Sequence, residues 1–302
     1  MDATSTLRAL LLLGGNLLAG PFVYWLHIRA EVRQEWLVFH RTALLFSGGA
    51  LFGMAFVDML YLGSRELNQT GTHEKPVAEI VVCIGFAVGL CLQQLDVFIT
   101  GWAERRRISR SVSATESTML SSYSENVDYG ATESACAVHG RRREDKPLPH
   151  VGLWASLGAL GCLCIYYTLH CLNLGLLPDQ ATAEATSAFK TVEVNSVLGS
   201  VTLAVVMYSS QPQPSVLLAA SFLSSVLPAI AYIVGCFVTK WSISMFYAGI
   251  VDTFCCGVLM CASVLGVVCP YSQSKTGCNS FPPAAAGLVC AILVRFAFPG
   301  AW

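Results

Sequence analysis

The sequence predicts an all-α, polytopic membrane protein, a bundle of eight transmembrane helices. Three observations carry that expectation. Of 302 residues, 54% are hydrophobic and only 12% charged, about half the charged share of a soluble domain. The apolar residues gather into eight runs of membrane-crossing length. A single long polar stretch, about 102–149, interrupts them.

The predicted spans are 8–27, 42–63, 76–100, 151–177, 186–209, 214–238, 242–269 and 281–301. The first reads as a retained span rather than a signal peptide. Its apolar run is long, its leader carries Asp2 as well as Arg8, and no small-x-small cleavage site follows. In the second span Gly48, Gly49 and Gly53 give the small-residue spacing that lets helices approach closely. Asp58, near its outer end, is read as marking a partner or an ion path, because carboxylates are rare in lipid, or else as hydrated at the headgroup level. The third span opens on Pro76 and Glu79, residues suited to a helix N-terminus.

The fourth span carries the stripe on which the functional reading turns. Tyr166 and His170 are four residues apart and share a helix face, with Asn173 three further on. Such a stripe is costly unless it faces the bundle interior or a water-filled path. The fifth span adds Asn195, Ser196, Ser200 and Thr202 as oxygen donors beside it. Pro228 predicts a kink in the sixth. Asp252 lies in the seventh, with a polar partner in the bundle as one reading. Arg295 in the eighth is expected to snorkel to the outer interface.

The polar stretch opens with Glu104-Arg-Arg-Arg107 and closes with Arg141-Arg-Arg-Glu-Asp-Lys146. Its Ser-, Thr- and Glu-rich middle cannot bury a core and is expected to be disordered. Basic clusters beside span ends place it in the cytoplasm. The chain then divides into helices one to three (1–101), the cytoplasmic loop (102–149) and helices four to eight (151–302). An even number of spans puts both termini on the opposite side. The glycosylation sequon Asn68-Gln-Thr70 falls on that outer side. The loop is read either as a phosphorylatable control region or as a plain linker. Cys136 and His139 within it are two donors only, too few for a metal site.

Several classes are excluded. Of thirteen cysteines most lie in apolar runs, where they act as small packing residues, and none has structural-zinc spacing. A net charge of −1 gives no field for nucleic acid. No phosphate-binding GxxxxGK[ST] loop, Ser/His pair or HExxH occurs, so no enzyme and no bound cofactor are expected. Eight spans disfavour a seven-helix receptor.

The order of these features resembles the ZIP metal-ion transporters. The Gly-rich second span ending at Asp58, Pro76-Val-Ala-Glu79 followed by Gly85-Phe86, the long variable loop, and Leu172, Leu174, Gly175 and Leu176 in the fourth span are similar to that family's pattern. The likeness covers most of the first five spans and is loose over the last three. The departures fall on the family's ligand positions. Tyr166 stands where the family has His, His170 where it has Glu, Asn195 where it has His, and Ser196 and Ser200 at further ligand positions. Gln93 replaces an acid in the third span.

What the resemblance implies is an eight-helix carrier moving a divalent metal, zinc foremost, into the cytosol by alternating access. The metal is its substrate. His170 and Asn195 would be inner ligands, Tyr166 a supporting donor and Asp58 an outer recruiting group, since imidazole and amide oxygen still bind the later divalent metals. The alternative is a non-transporting relative acting as a partner or regulatory subunit. Either sits in a plasma or organelle membrane. The small residues of the second span suit a homodimer contact as well as internal packing.

Overall fold

The computed structural model describes residues 3–32, 36–70, 76–122, 152–177, 182–210, 213–238, 244–268 and 281–297. Nearly all of these are helical, and none is in a strand. In chain order the helices are α1 (Ala3–Leu17), α2 (Ala19–Val32), α3 (Trp36–Gly53), a π-helical segment (Met54–Leu60) and α4 (Tyr61–Gln69). There follow α5 (Val77–Ser122), α6 (Leu153–Gly175), α7 (Ala183–Ser210), α8 (Pro214–Phe237), α9 (Met245–Cys261), a second π-helical segment (Ala262–Val268) and α10 (Phe281–Ala297).

Among the described residues, seven stretches are long and apolar enough to cross a membrane: Thr4–Arg29, Val38–Gln69, Val77–Ile99, Leu153–Gly175, Ala185–Ser210, Pro214–Phe237 and Met245–Val268. The chain is therefore a polytopic, membrane-embedded helical protein. The eighth predicted span is present as α10, a shorter apolar helix of 17 residues. At 1.5 Å per residue it rises about 25 Å, less than the roughly 30 Å of a hydrocarbon core. The bundle thus has seven full-length candidates and one short helix.

The first span breaks briefly at Leu18 because Pro21 has no N–H to offer the carbonyl of Leu17. Its leader is tied into the bundle. Arg8 Nη2 donates to Thr186 Oγ1 at 2.9 Å, and its guanidinium lies 5.2 Å from the Phe189 ring centroid. In α8 the helix carries on through Pro228. The Ser225 hydroxyl donates to the Ser221 carbonyl at 2.7 Å one turn earlier.

Helix association in lipid rests on close packing, since lipid tails are as apolar as leucine. The glycines supply it. A Cβ at Gly49 would run into the Ala284 carbonyl, and one at Gly287 into the Phe46 carbonyl, so α3 and α10 touch backbone to backbone. Gly85 and Gly257 do the same for α5 and α9, Gly175 and Gly235 for α6 and α8. Beyond its contact with α9, α5 turns Ile80, Ile84, Val97 and Phe98 outward.

One expectation is corrected here. The polar stretch from 102 was expected to be disordered, yet α5 runs on to Ser122. A formed span is already nucleated, so each added residue needs only the favourable propagation step. Glu104 to Arg107 are good helix formers. The rest of that stretch, with Cys136 and His139, lies outside the described residues.

Candidate functional site

Asp58 owes its place to the π-helical segment Met54–Leu60, which follows Gly53 directly. A π-turn holds one more residue than an α-turn spans, so it re-aims the side chains around it. The Asp58 carboxylate is 3% exposed. Its Oδ2 accepts a hydrogen bond from Asn195 Nδ2 of α7 at 3.2 Å. Its Oδ1 lies 3.7 Å from Arg295 Nε of α10. Arg295 therefore turns inward instead of snorkelling. A buried carboxylate without a counter-charge is costly enough to outweigh hydration of the guanidinium at the interface.

His170 lies on α6, packed between α7, α8 and α9. Its Nε2 is 3.0 Å from Oδ2 of Asp252 on α9, and both residues are buried. One proton sits between those two atoms, whichever group owns it. Glu66 of α4 interacts electrostatically with both. Tyr166 presents its ring to His170, centroids 4.3 Å apart and planes at 61°. Tyr167 fixes α6 on α7, its hydroxyl donating to the Asn195 carbonyl at 2.7 Å.

Between these helices is a cavity of about 10 Å³, at the lower limit for one water. Asp58 and Leu62 line it from the second span, Tyr166, Tyr167 and His170 from α6, Val192 and Asn195 from α7, and Arg295 from α10. All four residues singled out in the sequence, Asp58, Tyr166, His170 and Asn195, meet here. Asp58 Oδ1, Asn195 Oδ1, Asp252 Oδ1 and Glu66 Oε2 are buried with no hydrogen-bond donor. Four acceptor oxygens in and around the cluster are thus left without a donor. Among the described residues, however, no group of three His, Cys, Asp or Glu side chains is arranged to hold a metal ion. Asp58 is engaged by Arg295 and Asn195, His170 by Asp252.

Other expected donors go elsewhere. Ser200 Oγ donates to Asn16 Oδ1 at 2.9 Å, and Asn16 Nδ2 donates to Ser196 Oγ at 3.2 Å, a neutral knot between α1 and α7. Thr202 satisfies the Gly199 carbonyl of its own helix. Asn173 is half-buried and does not line the cavity. Gln93 Nε2 reaches the Cys261 carbonyl at 3.5 Å.

Sequence reasoning missed Glu66, Tyr167 and the roles of Asp252 and Arg295. Glu66 stands in a polar run, Ser64-Arg-Glu66, that looks like the end of a span. Asp252 and Arg295 were visible as charges inside apolar helices, but their partners are 82 and 237 residues away in sequence.

Searches of protein-family models, of curated proteins and of solved structures gave no match to the chain.

Proposed function

We propose that the chain is a ZIP-like membrane carrier that moves a divalent metal cation, zinc foremost, into the cytosol by alternating access. One observation carries this reading. The cavity walls hold buried acceptor oxygens of Asp58 and Asn195 beside the His170 imidazole, with no hydrogen-bond donor on Asp58 Oδ1 or Asn195 Oδ1. Oxygen and imidazole ligands suit zinc and its neighbours among divalent metals. The family resemblance of spans two to five supports the same reading, with Asp58, His170 and Asn195 as ligands and Tyr166 packing the imidazole. The long loop is then cytoplasmic and both termini lie opposite.

At about 10 Å³ the cavity is small, so loading requires the helices around it to part. Weak binding is compatible with transport, because an ion must also leave. A second reading, a non-transporting relative that keeps the bundle as a partner subunit, is favoured by the Arg295–Asp58 pair, which fills the cation's place with a side chain.

Uptake of 65Zn separates the two. Cells expressing the chain are compared with cells expressing a His170→Ala, Asn195→Ala double variant at matched surface level. Uptake above background that vanishes in the variant is the expected result. No uptake of zinc, iron or manganese by protein shown to be at the membrane overturns the carrier.

A further inference from the structure

We propose that Arg295 is a tethered counter-cation of the carrier. It neutralises Asp58 while the site is empty and leaves when a divalent cation loads, so it sets how tightly such cations bind. This rests on the carrier reading above and adds to it a residue that the substrate must displace.

Four features argue for it. The Arg295 Nε to Asp58 Oδ1 separation is 3.7 Å, longer than a hydrogen bond, so the pair is held by charge alone. Its side chain is 17% exposed while that of Asp58 is 4% exposed, which puts the guanidinium at the rim of the cavity and the carboxylate inside. In the same position Cζ of Arg295 is 5.7 Å from the ring centroid of Tyr61, one turn beyond Asp58. The ring holds the guanidinium at the rim by a cation–π contact that does not involve the carboxylate. Finally, α10 is anchored to α3 at Ala284, Gly287 and Ala291, the last one turn before Arg295, while Leu293 and Phe296 are exposed. The helix is thus fixed up to the arginine, and loading moves the arginine side chain, not α10.

Asp58 accepts one hydrogen bond, from the neutral amide of Asn195. With Arg295 gone its carboxylate loses its paired guanidinium, and a divalent cation is the partner the carrier reading supplies. With Arg295 in place, cation and guanidinium would face the same carboxylate, and like charges there disfavour each other.

The test uses purified full-length protein in lipid nanodiscs and equilibrium binding of 65Zn. If Arg295 occupies Asp58 nine times in ten, Arg295→Gln binds zinc about tenfold more tightly than wild type. Arg295→Lys, which keeps the charge, stays near wild type, and Asp58→Asn/Arg295→Gln loses the gain. On the wild type itself, phenylglyoxal modification of Arg295, read by peptide mass spectrometry, rises with saturating zinc. Unchanged zinc affinity in a folded Arg295→Gln protein overturns the proposal. So does a gain that survives in the double variant, or arginine labelling insensitive to zinc. The carrier reading fails separately, by absence of uptake in cells expressing wild type. Tighter zinc binding by Arg295→Gln without wild-type uptake would leave Arg295 as a lock on a silent site.

Discussion

Replacing Asp252 with alanine removes the partner of His170 at a place where water cannot substitute. Asp252 is 0% and His170 2% exposed, and their atoms meet at 3.0 Å. Two magnitudes compete. A neutral hydrogen bond between membrane helices couples its partners by about 0.6 kcal/mol on average and about 1.7 at most. Breaking a buried ion pair from one side costs about 3–5 kcal/mol, because the other charge is left unpaired. The expected result is the second: about 3–5 kcal/mol for Asp252→Ala, a similar loss for His170→Ala, and little more for the double variant. The coupling energy is then about 3 kcal/mol, beyond the range of a neutral bond. Asp252→Asn keeps the shape and an acceptor for Nε2–H, and loses about 1–2 kcal/mol. Denaturant titration of the four proteins in detergent micelles, closed as a double-mutant cycle, measures this. Costs that add to within about 0.6 kcal/mol would refute the reasoning and make the contact an ordinary helix–helix bond.

Three further outcomes follow from the geometry. Gly49→Leu forces a side chain into the Ala284 carbonyl, so it destabilises by more than the roughly 1–3 kcal/mol of ordinary overpacking, whereas Gly14→Ala, with nothing within 4 Å of the new Cβ, is neutral or stabilises by about 0.5–1 kcal/mol; thermal melting of the solubilised proteins compares them. Asn16→Ala unties Ser196 and Ser200, costs about 0.6–1.7 kcal/mol in the same assay, and leaves zinc affinity unchanged because the knot does not line the cavity. An epitope inserted between Gly130 and Ala131 stains only in permeabilised cells if the long loop is cytoplasmic; staining of intact cells reverses the proposed orientation.

How much of this was legible in the sequence depends on the range of the forces involved. Spans were readable because each is a local sum of transfer energies over about 20 residues. Gly48, Gly49 and Gly53 announced close packing but not the partners: that α10 lies against Gly49 and Gly53, and Val267 against Gly48, required the whole bundle. The shared face of Tyr166 and His170 was readable from helical geometry alone. The same geometry, pressed further, would have divided the fifth span correctly. Ser196 is turned about 100° from Asn195, and Ser200 lies on the face of Ser196, so the three cannot all look into one cavity. The structure puts Asn195 there and turns both serines to Asn16. Asp252 and Arg295 were misjudged or left open for another reason. A charge in an apolar helix has two remedies, reaching water or finding a partner, and the partner is invisible until distant segments are brought together.

That distinction bears on how the site is composed. The fourth and fifth spans bring no carboxylate to the cavity, only Tyr166, Tyr167, His170, Val192 and Asn195. Of the acids, Asp58 lines it from the second span, while Asp252 of α9 pairs with His170 and Glu66 interacts with both. Arg295 faces Asp58, while Asp58 Oδ1, Asn195 Oδ1, Asp252 Oδ1 and Glu66 Oε2 are buried without a hydrogen-bond donor. Buried acceptors without donors are costly, and a bound cation would relieve that cost. On the carrier reading, Asp58 supplies the charge across from Tyr166, His170 and Asn195, and Arg295 and the His170 proton hold the site together in the interval between ions.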